Sequence, residues 1–359
     1  MDLEDKIRLV NRLPTEEVIT QEELRNIFET NDAPLAYQGF EPSGLAHLGT
    51  GLVTAMKAVD MINAGVKFIL FLADWHAWIN EKMGGDLELI RKSGEYLKEV
   101  WGSLGVDEKK VEYIWASELS DDLSYWEKVI KITKGTTIAR MTRCLTIMGR
   151  KEGEMQNVAQ YIYPAMQASD ILQMELDIAC AGMDQRKAQI LAREMSEKLG
   201  AKKPVCVHYH LLMGLTEPAT SGFDKDLKTD LSISSKMSKS TPKANIFVHD
   251  TEEEIREKIK EAYCPAKVVE NNPILEIARY IVFRGEEKEF TIHRPEKFGG
   301  DITFWRYEEL ENAFRKGEIH HRDLKNNISE SLIKILEPSR KHFENKKELI
   351  GELLRGTSR

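Results

Sequence analysis

Residues 35–50 read LAYQGFEPSGLAHLGT, and this stretch decides the fold class. It begins with a short apolar run, Leu35 to Phe40, which the turn residues EPSG close. A segment with periodic apolar residues, typical of a helix, follows between His47 and Ala64. The stretch therefore predicts a strand, a tight loop and a helix in direct succession.

Three further segments have the length and composition of buried strands. Val66 to Ala73 is a continuous apolar run, as expected of a parallel strand that is covered on both faces. Val111 to Ala116 and Val205 to His210 are two more candidates. Strands that alternate with long helical segments predict an α/β fold with a doubly wound parallel sheet. Because ligands bind beyond the carboxyl ends of such strands, the loops after Tyr37 and Leu72 form the candidate site.

The rest of the chain is predicted to flank this core. Residues 1–35 look helical and peripheral, and the charged residues 16–25 are consistent with a solvated helix face. Residues 215–235 are rich in Thr, Ser, Asp and Gly, which indicates a long loop. The residues beyond are mainly helical in pattern. We therefore expect a domain boundary near Asn245 and a separate helical domain over residues 246–359.

Length and composition exclude several classes of protein. A chain of 359 residues with 42% hydrophobic positions can bury a sizeable core. Its apolar runs are shorter than the roughly 20 residues that span a bilayer, and the start MDLED lacks the basic region of a signal peptide, so we expect a cytoplasmic protein without membrane contact. Cys144, Cys180, Cys206 and Cys264 have no metal-binding spacing, so neither a disulfide framework nor zinc is expected. The net charge of -8 argues against indiscriminate nucleic-acid binding.

Two short motifs carry candidate chemistry. In residues 42–50 a turn with a glycine brings His47 to the start of a helix, where backbone amides and the positive end of the helix dipole suit a phosphate. Residues 236–240 read KMSKS inside the polar loop, and the two lysines, Lys236 and Lys239, suit a migrating negative charge. Each motif alone has a plainer interpretation, a structural histidine or a solvated lysine pair. Their occurrence together beside α/β strands favours the functional interpretation.

These motifs resemble the HIGH and KMSKS signatures of the class I aminoacyl-tRNA synthetases. The second matches letter for letter, and the first corresponds to HLGT with Thr50 in place of the second histidine, where a hydroxyl can still donate one hydrogen bond. Further segments are similar to the tyrosyl-tRNA synthetases of the archaeal and eukaryotic type. They are residues 37–44 (YQGFEPSG), 72–77 (LADWHA), 163–170 (YPAMQASD), 182–187 (GMDQRK) and 294–301 (RPEKFGGD).

The resemblance implies a Rossmann-like catalytic domain over residues 36–245. Within it, a connective insertion is expected at about 116–163 and the KMSKS loop at about 213–245. Residues 246–359 then correspond to a helical anticodon-binding domain.

The segment YPAMQASD also predicts a polar helix face. Pro164 suits the first turn of a helix, which places Tyr163, Gln167 and Asp170 on one side. Such a face among apolar neighbours is costly to bury unless a polar ligand pairs with it. The resemblance implies a tyrosine-binding set: Tyr37 and Asp170 for the phenol, and Tyr163, Gln167, Gln185 and Glu41 for the ammonium or backbone end. The plainer alternatives are a surface carboxylate for Asp170 and a core tyrosine for Tyr37. We also expect Phe71 and Leu119 to line this pocket.

The same resemblance implies ATP as a substrate and a two-step reaction. The tyrosine carboxylate attacks the α-phosphorus of ATP, pyrophosphate leaves, and Mg²⁺ shields the phosphates. A terminal ribose hydroxyl of tRNA(Tyr) then takes the tyrosyl group. The implied catalytic residues are His47, Lys236 and Lys239. The implied ATP contacts are Gly39, His47, Gly49, Thr50, Gly182, Asp184, Lys236, Ser238 and Lys239.

Residues implied to bind tRNA lie in two regions. Residues 128–151 contain seven basic side chains and no Asp or Glu, which favours phosphate contact and points to Arg140 and Arg143. In the family this region contributes to a dimer interface, so a homodimer is expected. Downstream, Phe298, His320 and Asp323 fall where the helical domain meets the anticodon. The plainer interpretations are a solvated basic helix, a core aromatic ring, a surface histidine and a helix-capping aspartate.

Two alternatives to a tyrosyl-tRNA synthetase stay open at this point. A tryptophanyl-tRNA synthetase shares the nucleotide fold, but the pair Tyr37 and Asp170 suits a phenol better than an indole NH. A catalytically silent paralogue that binds tRNA or a regulatory partner is also compatible with the fold. Four intact residues argue against that second alternative: His47, Lys236, Lys239 and Gln185.

Overall fold

A six-stranded sheet forms the centre of the molecule. The computed structural model describes residues 1–150, 152–223, 226–238 and 244–357. The strands are β1 Thr15–Ile19, β2 Leu35–Phe40, β3 Lys67–Leu72, β4 Val111–Trp115, β5 Ile178–Gly182 and β6 Val205–Tyr209. They lie in the order β1-β6-β5-β2-β3-β4, and all neighbours are parallel except β1, which runs antiparallel to β6 at one edge. The predicted α/β fold class is confirmed.

Both faces of this sheet are buried. Along β3, Phe68 and Leu70 point into one apolar cluster, whereas Ile69 and Phe71 point into another on the opposite face. This alternation explains why the strand is a continuous apolar run. The first cluster also takes in residues from both ends of the chain, so the terminal regions pack on the same core as the sheet.

The α-helices surround the sheet and are the main elements of residues 246–357. In the described residues they are α1 Leu3–Asn11, α2 Gln21–Thr30, α3 Thr54–Asn63, α4 Asp74–Ile79, α5 Leu87–Ser103, α6 Ala116–Leu119, α7 Leu123–Gly135, α8 Ile138–Cys144, α9 Ala159–Gln173, α10 Arg186–Leu199, α11 Leu227–Ser235, α12 Glu252–Glu261, α13 Pro273–Ile277, α14 Tyr307–Lys316, α15 His321–Phe343 and α16 Lys347–Thr357. Residues 246–357 are mainly helical, as predicted, with a small hairpin of β7 Phe290–Ile292 and β8 Ile302–Phe304. Within the described ranges, no helix combines the length and apolar character that a bilayer crossing requires.

The N-terminal segment differs from the prediction. Residues 16–25 were expected to be a solvated helix face, but residues 16–19 belong to strand β1. Their carboxylates pair with histidines of the neighbouring chain segment: Glu17 lies 2.7 Å from Nδ1 of His208, and Glu16 lies 2.6 Å from Nδ1 of His210. These partners are distant in sequence, so a local charge pattern cannot indicate them.

Two other local predictions are wrong. Residues 215–235 were expected to form a loop, but the second half is helix α11, whose first turn is capped by the Asp226 carboxylate at 2.8 Å from the Thr229 amide. Pro164 was expected in the first turn of its helix, but α9 begins five residues earlier and Pro164 lies inside it. Proline has no amide hydrogen to donate, so it is tolerated there at the loss of one backbone hydrogen bond.

A fully buried lysine ties the N-terminal helix to α3. The Lys57 ammonium donates to the carbonyl oxygens of Leu9, Val10 and Arg12 at 3.2, 3.2 and 2.9 Å, and it lies 3.4 Å from Asp60. Burial lowers the pKa of Lys57 to about 8. We expect Lys57→Met to lower the free energy of unfolding by about 3 kcal/mol, because three backbone carbonyls and Asp60 lose a charged partner. Urea denaturation followed by circular dichroism measures this change.

Lys67→Met is the matched control. Lys67 is exposed at the start of β3, so the same change of side chain should alter the free energy of unfolding by less than about 0.5 kcal/mol. Equal effects of the two substitutions would contradict the assigned role of Lys57.

Candidate active site

A large cavity lies at the carboxyl ends of β2 and β5, where the strand order reverses. Such a reversal opens a crevice between the loops that leave the two strands in opposite directions. The cavity has a volume of about 840 Å³. Its wall contains every described residue predicted to contact tyrosine or ATP: Tyr37, Gly39, Glu41, His47, Gly49, Thr50, Tyr163, Gln167, Asp170, Gly182, Asp184, Gln185, Lys236 and Ser238. Lys239 lies outside the described residues.

One end of the cavity is built on a buried carboxylate. Helix α9 presents Asp170 on the same face as Tyr163 and Gln167, as predicted, although the helix begins earlier than expected. The hydroxyl of Tyr125 donates to Oδ1 of Asp170 at 2.8 Å, and Nε2 of His76 lies 3.1 Å from Oδ2. Burial lowers the pKa of His76, but the adjacent Asp170 outweighs this and raises it above the usual value. The carboxylate is therefore held in place from two sides.

Tyr37 lies at the same end of the cavity. Its ring makes an edge contact with Phe71, with centroids 6.1 Å apart. Burial and the charge of Asp170 raise the pKa of Tyr37 well above its usual range, so its hydroxyl stays protonated and can donate. Phe71 lines the cavity as predicted. Leu119 was also expected there, but it packs against the apolar cluster that contains Ile69 and Tyr125, and it is not part of the cavity wall.

Polar groups next to this end are arranged around Glu41. The Tyr163 hydroxyl donates to Oε1 of Glu41 at 2.7 Å, the Asn80 amide donates to the same oxygen at 2.9 Å, and Lys82 lies 3.5 Å from Oε2. Asn80 is itself fixed, because Nε of Arg150 donates to its Oδ1 at 2.7 Å. The carboxylate is thus preorganised at the cavity wall.

Two side-chain amides provide further acceptors. The Gln167 amide donates to Oε1 of Gln185 at 3.2 Å, and Gln185 in turn donates to the carbonyl of Ile147 at 2.9 Å. In the described part of the chain, Oε1 of Gln167 and Oε1 of Gln38 are buried without a hydrogen-bond donor. Buried acceptors are expensive to leave unpaired, so these oxygens suit a ligand with N–H groups, such as an ammonium.

The other end of the cavity is formed by the turn that follows β2. Gly44 has φ of +99°, which only glycine adopts easily, and its amide donates to Ser93 at 2.9 Å. Nδ1 of His47 accepts from the amide of Gly49 at 3.1 Å, which places the ring proton on Nε2. The Thr50 hydroxyl accepts from the His47 amide at 3.2 Å, so this residue stabilises the turn itself. The imidazole is therefore presented as a donor.

Lys236 and Asp184 face each other across this end. Nζ of Lys236 donates to Oδ2 of Asp184 at 2.5 Å. Gly182 stands close to the pair: a Cβ at this position would lie 2.7 Å from Oδ1 of Asp184 and 2.7 Å from the Leu211 side chain. A side chain at residue 182 would displace the Asp184 carboxylate, which explains why this position is a glycine.

The residues predicted to contact tRNA lie away from the cavity. Phe298 is 61% exposed, so it is not a core aromatic ring. His320 caps α15, with Nδ1 accepting from the Arg322 amide at 3.2 Å; the capping role suggested for Asp323 therefore belongs to His320, and Asp323 lies in the first turn. Arg143 is exposed. Arg140 is half-buried and pairs with Glu194 at 3.1 Å, so one of the two predicted phosphate contacts is already engaged with a carboxylate.

The sequence pattern missed four residues of the cavity region. His76 falls in the LADWHA segment without an assigned role, and Gln38 lies inside strand β2. Asn80 and Tyr125 do not belong to any of the sequence motifs. Tyr125 is on α7, 45 positions before Asp170, and only the packing of α7 on α9 brings the two together.

The chain is similar to a family of tRNA synthetases and to individual members of it. The family model for tRNA synthetases class I (W and Y) matches residues 29–337. The tyrosine--tRNA ligase of Thermococcus kodakarensis is 49% identical over 375 residues, which cover 99% of this chain and 98% of that protein. The corresponding protein of Pyrococcus horikoshii is 48% identical over 374 residues, with the same coverage of 99% and 98%.

Solved structures are similar over the whole chain. The crystal structure of tyrosyl-tRNA synthetase complexed with L-tyrosine from Pyrococcus horikoshii has a TM-score of 0.91 and 46% identity, and the match covers 99% of this chain and 100% of that one. Tryptophanyl-tRNA synthetase from Aeropyrum pernix has a TM-score of 0.66 at 17% identity, covering 94% of this chain and 85% of that one. At that identity the second likeness concerns the fold alone.

The contact between Tyr125 and Asp170 can be tested through stability. We expect Tyr125→Phe to lower the free energy of unfolding by about 2 kcal/mol, because a buried carboxylate oxygen loses its donor. Tyr113→Phe is the control, since the Tyr113 hydroxyl is buried without a partner among the described residues and its removal should cost nothing. Guanidinium denaturation of both variants measures the difference. A Tyr113 variant as unstable as the Tyr125 variant would contradict the assignment.

Proposed function

The chain belongs to the class I tRNA synthetases of the tryptophan and tyrosine group, and we propose that it is a tyrosyl-tRNA synthetase that activates L-tyrosine with ATP and loads it onto tRNA(Tyr). The observation that carries this proposal is the buried pair of Tyr37 and Asp170 in the cavity wall. A phenol both donates and accepts a hydrogen bond, so it satisfies both residues at once. An indole NH only donates, which would leave the Tyr37 hydroxyl without an acceptor.

The amino acid is oriented by its two ends. Asp170 accepts from the substrate phenol while Tyr37 donates to it. The ammonium group then faces the carboxylate of Glu41 and the side-chain oxygens of Gln167 and Gln185, with Tyr163 holding Glu41 in position. The unpaired Oε1 of Gln167 supports this orientation, because it needs a donor at that place.

In the first step a carboxylate oxygen of tyrosine attacks the α-phosphorus of ATP. The bond from that phosphorus to the bridging oxygen breaks, and pyrophosphate leaves with the electron pair. Nε2–H of His47 and the ammonium of Lys236 stabilise charge on the phosphates, and Lys239 is proposed to do the same. Mg²⁺ enters with ATP as part of the substrate, because this ion binds chiefly through phosphate oxygens and water.

Lys236 and Asp184 are proposed to exchange each other for new partners when ATP binds. Asp184 is proposed to accept the ribose hydroxyls, with Gly39 and Gly182 allowing close approach of the nucleoside. When the carboxylate turns to the ribose, Lys236 is released toward the phosphates. Gly49, Thr50 and Ser238 complete the proposed phosphate contacts at the two loops.

In the second step a terminal ribose hydroxyl of tRNA attacks the carbonyl carbon of the adenylate, and AMP leaves. Residues 116–163 are proposed as the connective insertion that meets the acceptor end, with Arg143 and Arg140 as phosphate contacts. Residues 246–359 are proposed as the anticodon-binding domain. The exposed ring of Phe298 suits stacking on a base, and His320 and Asp323 suit contacts to base edges. We propose a cytoplasmic location, where tyrosine, ATP and tRNA meet.

Exchange of labelled pyrophosphate into ATP tests the proposed activity. Without tRNA, exchange is expected with tyrosine and not with phenylalanine or tryptophan. Exchange with tryptophan alone would assign a tryptophanyl-tRNA synthetase activity. Absence of exchange with any amino acid would favour the catalytically silent paralogue.

Asp170→Asn tests the phenol contact in the same assay. The substitution keeps the shape but removes the charged acceptor, a loss of about 1.5–3 kcal/mol that corresponds to a decrease in kcat/KM for tyrosine of roughly 10- to 150-fold. Preference for tyrosine over phenylalanine should fall by a similar factor. Unchanged preference in a folded Asp170→Asn enzyme would refute the proposed phenol site.

We propose that the chain forms a homodimer through residues 116–163. Leu123 and Ile130 are 83% and 65% exposed and, seven positions apart, lie on one face of α7, while Ile138 and Val158 are also exposed in this segment. We expect Leu123→Asp with Ile130→Asp to give a monomer by light scattering, because two charges at a dimer interface oppose association. Leu227→Asp, at an exposed apolar position on α11, should leave the dimer intact. A dimer that survives the double substitution would exclude this face.

A further inference from the structure

A cluster of charged residues joins three distant parts of the chain at the end of β6. His210 follows this strand and lines the cavity, and its side chain is 14% exposed. Nδ1 lies 2.6 Å from Oε1 of Glu16 in β1, and Nε2 lies 3.1 Å from Oε2 of Glu276 in α13. The ring stacks on Tyr280 with centroids 4.0 Å apart. The imidazole is thus held on both edges and on one face.

The surroundings of His210 favour its charged form. Burial lowers the pKa of His210, but the carboxylates of Glu16 and Glu276 outweigh this and raise it to about 9. The Arg279 guanidinium lies 5.4 Å from the Tyr280 ring, and burial raises the pKa of that tyrosine to about 12, so Tyr280 stays neutral. At neutral pH His210 is therefore charged, and it lies between the side chains of Glu16 and Glu276.

Glu276 connects this cluster to the KMSKS segment. Its Oε2, the oxygen that faces His210, also accepts from the backbone amide of Met213 at 2.9 Å. Met213 forms an isolated antiparallel bridge with Lys236. The Met237 amide donates to the Leu212 carbonyl at 2.7 Å, and the Gly214 amide donates to the Ser235 carbonyl at 2.8 Å. The backbone that carries Lys236 is therefore paired with the segment that follows β6, in which Glu276 accepts from the Met213 amide.

We propose that His210 and Glu276 are positioning residues that hold the base of the KMSKS segment, so that Lys236 can reach the phosphates of ATP. The ion pair keeps the Glu276 carboxylate oriented toward the Met213 amide. The paired backbone then restricts where Lys236 begins its movement. This inference rests on the proposed ATP site and adds to it residues outside both motifs.

Separate measurements of ATP and tyrosine binding distinguish this positioning role from a general structural role. In pyrophosphate exchange without tRNA, His210→Gln and Glu276→Gln are each expected to raise the KM for ATP roughly ten-fold. Tyrosine affinity, measured by equilibrium dialysis, should stay within about two-fold, because the proposed tyrosine contacts lie on α9, on β2 and in the turns that follow β2 and β5. His293→Gln is the matched control: His293 pairs with Asp301 at 2.7 Å on the surface, and its loss should change neither value.

The pH dependence gives an independent readout. The raised pKa means that the positioning interaction is complete below the usual histidine value of 6.5 and is lost as the pH rises through about 9. The KM for ATP of the unmodified enzyme should rise over this pH interval. The KM of His210→Gln should be higher than that of the unmodified enzyme at low pH, and it should not change over the interval. Glu16→Gln, which leaves the Met213 contact in place, should move the rise to lower pH, because it removes one of the two carboxylates.

Either of two results would overturn the inference: folded His210→Gln and Glu276→Gln enzymes with unchanged KM for ATP, or an equal weakening of tyrosine and ATP binding. If substitution at 210 or 276 prevents folding, an unshifted pH dependence in Glu16→Gln overturns it instead. Absence of tyrosine-dependent exchange in the unmodified enzyme would refute the proposed function, which is a distinguishable outcome.

Discussion

The buried carboxylate of Asp170 is the constraint on which the site depends. An ionised carboxylate inside a protein is costly unless polar or charged groups surround it, and here those groups come from separate elements. Tyr125 reaches it from α7 and His76 from α4, while Tyr37 lies close by on β2. Satisfying one charge thus fixes the packing of two helices against α9 and the sheet. The same requirement leaves a polar site of defined shape in an otherwise apolar interior.

The two ends of the cavity are built in different ways. The end around Asp170 and Glu41 consists of side chains on regular elements or directly next to them, and a second polar group holds each carboxylate, as Asn80 holds Glu41. The opposite end consists of backbone turns, in which Gly44 and Gly182 give space, and of the segment that carries Lys236. A rigid end suits discrimination between amino acids, whereas a loop-built end suits a nucleotide whose charge changes during the reaction.

The sequence predicted the parts that follow from local chemistry. The strand, turn and helix around His47 and the polar face of α9 could be predicted, because periodicity, turn residues and motif spacing are local. β5 has the sequence IACAG, whose small residues do not resemble a typical strand; it is recognisable only from its neighbours in the sheet. β1 and α11 were missed for the related reason that charged, polar segments also suit loops and solvated helices. Tyr125 has no sequence signal, since its role arises from helix packing.

The antiparallel edge strand has a consequence for the order of folding. Among the strands that the structure describes, β1 pairs only with β6, so β1 obtains its interstrand hydrogen bonds from residues about 190 positions later. During synthesis, residues 15–19 cannot join the sheet until β6 has left the ribosome, while β2 and β3 are able to pair much earlier. Strand β1 is therefore added late, and it closes the edge of a sheet that is otherwise already assembled.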